Sequence, residues 1–455
     1  MRFAAVALVR HLDRCATRVE VSSLIFSLIL AAAGCSRAPG PEARAAYQQA
    51  LRAVLESKAP PPGYAVADNR GRRVWRDTQR FYEQNGHVLA WSDGKTPRTP
   101  MDGLVRAVRA ADQDGLEPAE YGADELDRIR QAFDPSHAAD TDVRFTYTYL
   151  RYASDLTHGT FDPETIDPQW HAAKRDNDLN AALDRGLADN GIEDSLQKLT
   201  PPAPQYRGLK HQLTLARSKG ASPETILQIA MNMDRWRWLP DDLGSRYLMV
   251  NIPAFRLDAI ENGKSVLEMK VVTGKKDSPT PVLADEMTTV VFSPYWNIPS
   301  EIVSKEILPK LAADPGYLER NNIELDESGQ RYRQRPGKGN SLGLVKFLFP
   351  NHFNVYLHDT PAGSLFARIE RDFSHGCVRL ERPLDLAKYV LRDQPEWTEE
   401  RIVTAMNRGV EQSVALKQAL PIYLAYFTAW EENGVLETRP DVYGLDRRHA
   451  KATDQ

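Results

Sequence analysis

The chain has 455 residues, 58 of them basic and 62 acidic, for a net charge of −4, and 42% of them are hydrophobic. That length accommodates two or three domains at roughly 100–200 residues each, and the near balance of charge excludes the basic excess of a nucleic-acid binder. Past residue 40 no apolar run is long enough to span a bilayer.

The first segment reads as an export signal. Arg2, Arg10, Arg14 and Arg18 precede the apolar run Leu24 to Ala33, which suits the hydrophobic region of a signal peptide better than a membrane span. The run closes with Ala32-Ala33-Gly34-Cys35. Small residues before a cysteine resemble a bacterial lipobox, here with Ala32 where Leu is usual. Residues 1–35 are therefore expected to be a lipoprotein signal with Cys35 as the lipidated residue; ordinary signal cleavage and an uncleaved anchor are the alternatives. The expected location is the periplasm, with a lipid anchor in the outer membrane, because Ser36 is not the Asp that favours inner-membrane retention. The three cysteines are Cys15, Cys35 and Cys377. Once the first leaves with the signal and the second carries lipid, Cys377 is the one remaining thiol and has no intrachain disulfide partner.

Residues 36–62 are expected to be a tether, with a short helical pattern at Tyr47, Leu51, Val54 and Leu55 that stops at Pro60-Pro61-Pro62. Residues 63–235 read as a mainly helical domain. Leu104, Val105, Val108 and Ala111 recur at helical spacing, as do Ile226, Ile229, Ala230 and Met233. The aromatics between Phe145 and Tyr152 fit helix and strand alike. The texture changes near residue 246: Leu248, Val250 and Ile252 alternate, then Phe255, Leu257 and Ala259, and Asn262-Gly263 leads into Val266 to Val272. Asn-Gly between alternating runs predicts a hairpin. Thr288 to Phe292 and Phe353 to His358 read as further strands. Between them, 300–342 looks like an inserted cap, with a helical piece Ile302 to Leu308 that Pro309 should end or kink and a polar Gly/Pro/Arg-rich stretch from Gln330 to Asn340. Pro383 to Leu391 reads as a helix with Pro383 in its first turn. The catalytic unit is placed at 236–445 and a tail at 446–455.

The chemistry concentrates in Tyr356-Leu357-His358-Asp359 and Ser374-His375-Gly376-Cys377-Val378-Arg379-Leu380. Taken as extended, the first segment turns Asn354, Tyr356 and His358 to one face and Phe353, Val355 and Leu357 to the core. The second turns His375, Cys377 and Arg379 outward together. A thiol with an ordinary pKa of roughly 8.5 is mostly protonated at neutral pH, and a nearby imidazole or cation activates it. His358 supplies the base and Arg379 the cation. Gly376 lets a carbonyl approach the backbone, and the N–H groups of Gly376 and Cys377 are expected to form an oxyanion hole. Metal binding by His358, His375 and Cys377 is the competing reading, but structural zinc takes four ligands at denser spacing.

His358, fifteen intervening residues and then Ser374-His375-Gly376-Cys377 resemble the signature of the L,D-transpeptidase (YkuD) catalytic domain. Pro294-Tyr295-Trp296-Asn297-Ile298-Pro299, the stretch from Pro336 to Gly343, His358-Asp359-Thr360-Pro361 and the stretch from Asn232 to Trp238 are similar to the long YcbB-like subclass. The resemblance implies an α+β architecture: a helical scaffold domain and a mixed β-sandwich-like catalytic domain with an inserted cap. It implies Cys377 as nucleophile and His358 as base, oriented by a backbone carbonyl, with His375 and Gly376 completing the catalytic motif. Ser374, Arg379, Tyr356 and Trp296 would contact substrate. The implied substrates are peptidoglycan stem peptides, joined 3–3 through a Cys377 thioester, with no metal or organic cofactor. The same fold would also suit attachment of a lipoprotein to peptidoglycan, L,D-carboxypeptidase action or, less well, non-catalytic wall binding. A sortase-type enzyme also uses Cys, His and Arg, but its His and Cys lie much further apart. The separate peptidoglycan-binding module of long members has no room here: about thirty residues separate Pro204 from Arg235, too few for an independent domain.

Overall fold

The computed structural model describes residues 40–56, 64, 69–171 and 175–453. The expected signal segment, with Cys35, lies outside the described residues.

The first half is helical. Its centre is the helix Ala138–His158, buried on nearly every side. At 21 residues it exceeds any ordinary strand, which decides the ambiguous aromatic stretch Phe145–Tyr152 in favour of helix. Thr99–Arg109 and Asn69–Gln84 pack around it and bury Leu104, Val108, Val74 and Phe81 in one cluster with Phe145, Tyr149 and Leu150. Helix Pro41–Leu55 contributes Leu51 and Leu55 to the same core. Part of the stretch expected as tether is thus packed structure, because its apolar residues recur at helical spacing and find a partner face.

The second half is built on nine strands: β1 (Arg246–Asn251), β2 (Arg256–Glu261), β3 (Lys264–Gly274), β4 (Leu283–Phe292), β8 (Val345–Leu348), β9 (Leu357–His358), β10 (Asp372–Ser374), β11 (Val378–Leu380) and β12 (Gln412–Ala425), with β5 (Trp296–Asn297), β6 (Ile323–Leu325) and β7 (Tyr332–Gln334) in the insertion. The sheet order is β10-β3-β11-β9-β8-β4-β12-β1-β2, and β2 pairs with β3 as well as β1, so the mixed sheet closes on itself. The long β3 makes this possible: its first part pairs with β2 and its last residues with β11 and β10. The β2–β3 hairpin turns at Asn262 (φ 48°) and Gly263 (φ 77°), the two left-handed residues that this tight turn needs.

Two expectations need correction here. Phe353 to His358 is not one strand: only Leu357–His358 pairs, because Asn354 adopts φ 53° and breaks the extended run. Of the stretch expected as a tail, the described residues 446–453 are ordered: helix Leu445–Thr453 packs against the molecule, with Leu445 and His449 buried.

The insertion is a folded cap. β5, β7 and β6 form a small sheet, and Ile298, Ile307 and Ile323 form an apolar cluster separate from that of the main sheet. Its helical arm runs Ser300–Ile302, then a π-helical turn Val303–Ile307, then Leu308–Ala313. Pro309 neither ends nor breaks the arm. The wider turn, with Leu308 N–H bonded to the Val303 carbonyl, makes room for a residue that lacks an amide proton.

Candidate active site

Strand register assembles the site. β8, β9 and β11 lie side by side with Lys346 opposite His358 and His358 opposite Arg379, so these three side chains share one face. One step along the same strands, Tyr356 and Cys377 precede Leu357 and Val378, and those two turn into the core. Cys377, Tyr356, His358 and Arg379 are thereby brought together as their alternation predicts. Lys346 joins them.

Cys377 is a free, half-buried thiol, and its Sγ donates to the Asn354 carbonyl at 3.8 Å. Burial pushes its pKa up, against the lowering effects of Tyr356 and the Arg379 charge. His358 is buried, and its Nδ1–H donates to the Asp359 carbonyl at 2.5 Å, which leaves Nε2 as the acceptor nitrogen. Its pKa is lowered to about 3, first by burial and then by the charges of Arg379 and Lys346. Thiol and imidazole are therefore both neutral near pH 7. Among the described residues no hydrogen bond joins the His358 ring to Sγ. The arrangement suits proton transfer during attack rather than a preformed thiolate–imidazolium pair.

The Asp359 carboxylate does not face the imidazole. It accepts from Leu344 N–H at 2.8 Å and Thr360 N–H at 2.7 Å, and so fixes the loop whose carbonyl orients His358. Ser374 has a similar supporting role: its hydroxyl donates to the Cys377 carbonyl and accepts from Gly376 N–H at 3.1 Å. That bond corrects one expectation, because the Gly376 amide is occupied and is not free for an oxyanion. The Cys377 and His375 amides make no hydrogen bond among the described residues. Gly376 has φ 110°, a conformation that only glycine adopts at ease. Its carbonyl accepts from Thr280 Oγ1 at 2.7 Å, and in a trans peptide the following amide, that of Cys377, points the opposite way.

Arg379 is half-buried, makes no ion pair among the described residues, and its buried Nε has no acceptor. An unpaired guanidinium beside the thiol is a ready site for a carboxylate. His375 points outward, and its Nε2 lies 2.8 Å from Glu306 Oε1 of the cap arm. Trp296, expected to contact substrate, packs against the apolar cluster of the cap, because its strand belongs to the cap sheet. Two of the cap's arginines are also committed: Arg333 and Arg335 both pair with Glu324.

Sequence reasoning missed Lys346, Thr280, Glu306 and the role of the Asn354 carbonyl. Lys346 was legible, as the one charged residue between Val345 and Phe347 on an alternating strand. The others act through a backbone carbonyl or across long sequence separations, and left no local signal.

Residues 245–403, which hold this whole constellation, match the family model of the L,D-transpeptidase catalytic domain. The chain carries an L,D-transpeptidase catalytic domain. Residues 76–213 match the model of the scaffold domain, so the helical half has its counterpart too. A Haemophilus influenzae protein named "Putative L,D-transpeptidase" is 32% identical over 318 residues, which span 66% of this chain and 64% of that protein. Among solved structures, an L,D-transpeptidase from Mycobacterium smegmatis is 17% identical over 40% of this chain and 58% of its own, with a TM-score of 0.23. L,D-transpeptidase 3 from Mycobacterium tuberculosis, in complex with a faropenem-derived adduct, is 16% identical over 40% of this chain and 60% of its own, with a TM-score of 0.22. The L,D-transpeptidase domain here thus sits on a scaffold domain, a helical region joined to a mixed-sheet catalytic half.

Proposed function

We propose that this protein is a periplasmic peptidoglycan L,D-transpeptidase that forms 3–3 cross-links through a thioester on Cys377. The single observation that carries this reading is the row of side chains on the face of β9 and β11 turned away from the apolar core. A thiol and a neutral imidazole held by a backbone carbonyl stand beside an unpaired guanidinium. Arg379 receives a carboxylate of the donor stem peptide. As Sγ attacks the carbonyl between the third residue and the terminal D-Ala, His358 Nε2 takes the thiol proton and the Cys377 N–H faces the developing oxyanion. The C–N bond breaks, the proton passes to the leaving amine, and D-Ala departs. The side-chain amine of a second stem then attacks the thioester, loses a proton to His358 and frees the thiol. Tyr356 borders the thiol throughout. No step calls for a metal or an organic cofactor. The lipid on Cys35 keeps the enzyme at the outer membrane.

The test is direct. Purified wild-type protein given tetrapeptide stems should yield 3–3 dimers, and a carbapenem should add once to Cys377 by intact mass. Cys377→Ser should lose the adduct and lower cross-linking by roughly 10³-fold or more, because an unactivated hydroxyl is a poor nucleophile. Wild-type rates in a folded Cys377→Ser protein would refute the reading.

A further inference from the structure

The cap touches the nucleophile loop at one polar point. Its apolar cluster is its own and shares no residue with the cluster under the main sheet. Among the described residues, the arm 300–313 makes one hydrogen bond or ion pair to the catalytic sheet region: Glu306 Oε1 with His375 Nε2 at 2.8 Å. Apolar packing therefore does not fix the arm over the site. The neck fixes the cap's root, and this contact fixes its reach.

The local backbone is shaped for that contact. Glu306 lies within the π-helical turn Val303–Ile307, and such a turn adds a residue to the helical cycle and re-aims the side chains after it. Here Ile307 is buried in the cap cluster while Glu306 stays 40% exposed beside His375 at 36%. Glu301, one turn earlier, pairs with Lys305 and also feels the positive charge of Lys275. An acidic edge of the arm thus faces a basic lip of the catalytic domain. His375 in turn stands two residues before Cys377.

We propose that Glu306 is a positioning residue. By holding His375 it latches the cap arm beside Cys377, restricts bulky reagents and water at the acyl-enzyme, and yields when the second stem peptide enters. The proposal rests on the Cys377 thioester reading and adds to it a named closing contact. Both partners are more than a third exposed, so the latch is weak enough to open in each cycle.

Two readouts test it, with melting curves to show that each variant is folded. The first is the rate at which a bulky maleimide labels Cys377, compared with iodoacetamide. Glu306→Ala should raise bulky labelling roughly two- to five-fold, the range an exposed ion pair supports, and leave iodoacetamide labelling unchanged. Glu306→Gln, which keeps an acceptor for the imidazole, should fall between. His375→Ala combined with Glu306→Ala should add nothing to the bulky rate of Glu306→Ala alone, since both remove one contact. The second readout is the partition of the acyl-enzyme between stem-peptide amine and water, which should shift toward hydrolysed product in Glu306→Ala. Equal bulky labelling in wild type and Glu306→Ala, or additive effects in the double variant, would overturn the latch. A wild type that neither takes a carbapenem adduct nor cross-links would instead sink the functional reading, while the labelling comparison would still judge the contact.

Discussion

Cys377 and His358 form a pair in which neither partner is charged near neutrality, and that has measurable consequences. Burial holds the thiol above its ordinary range, so the thiolate fraction should rise about tenfold per pH unit through neutrality. Iodoacetamide labelling of the free enzyme should therefore climb steadily to pH 9, with no plateau near pH 7; a plateau would reveal a preformed thiolate. His358 gives a second, independent reading. Its native pKa is about 3, against roughly 6.5 for an unfolded histidine. Below pH 6.5 the unfolded chain binds a proton that the native state refuses, so this contribution to stability is complete above pH 6.5 and is lost as pH falls toward 3. The loss is up to about 1.4 kcal/mol per pH unit. His358→Gln removes the titrating group. Urea titrations at pH 7 and pH 5 should show the wild type losing more stability on acidification than the variant; equal losses would mean that the imidazole is solvated.

The elements show which parts of this design were readable. The β2–β3 hairpin was legible because Asn262-Gly263 encodes its own backbone. The shared face of His358, Cys377 and Arg379 was legible because alternation survives wherever a strand is paired. It failed at Asn354, which takes a left-handed conformation and whose carbonyl, not its side chain, reaches the thiol. The cap neck, residues 336–343, shows another limit of local pattern. Its glycines Gly337, Gly339 and Gly343 would suit a hinge, yet Asn340 ties the neck down. Its side-chain amide donates to the carbonyls of Pro294, Gln334 and Arg335 at 3.1, 3.2 and 2.9 Å, and its oxygen accepts from Leu342 N–H at 2.8 Å. The partners come from both roots of the cap, which no local pattern displays. Buried Gln334 adds bonds to Asn321 and Gly339 carbonyls and to Ser341 N–H. Asn340→Ala leaves several of these groups unpaired and should cost about 2–3 kcal/mol in the cap. Asn340→Asp keeps an acceptor for Leu342 but sets a carboxylate against three carbonyl oxygens, so it should cost at least as much. Hydrogen exchange over 323–342 should accelerate in both variants while β1, β2 and β12 stay protected; unchanged exchange would restore the free-hinge view.

At the scale of the molecule, the main apolar cores of the scaffold and the sheet are distinct; a third apolar cluster packs Tyr206 and Leu209 against Tyr247 and Tyr423 between them, and buried charge reinforces that junction. The segment Asn232 to Trp238, which marked the family in the sequence, lies away from the thiol and works as this bolt. Arg237 pairs with Asp234 and donates to Tyr206 Oη at 2.8 Å and to the carbonyl of Asp114 in the scaffold. Burial pushes Asp234 up, but His449 of the last helix and Arg237 hold it well below the usual carboxylate range. Arg235, 1% exposed at its side chain, pairs with Asp446 at 2.6 Å. Thr428 donates to Asp446 at 2.8 Å and accepts from Asn232 at 2.9 Å. The last helix thus closes a network that spans residues 114 to 449, and its acidic residue neutralises a guanidinium with no exit to water. Asp446→Ala leaves Arg235 charged and buried, with the neutral oxygens of Asn232 and Thr428 and the face of the Tyr426 ring as its neighbours. Breaking one side of such a pair costs roughly 3–5 kcal/mol. Because the deficit falls at the junction, calorimetry should show a lower melting temperature and a single transition that broadens or splits, the sheet melting before the scaffold. Carbapenem acylation of Cys377 at low temperature should persist, since the thiol, imidazole and guanidinium row is untouched. A melting curve identical to wild type would mean that the two cores hold each other without the bolt.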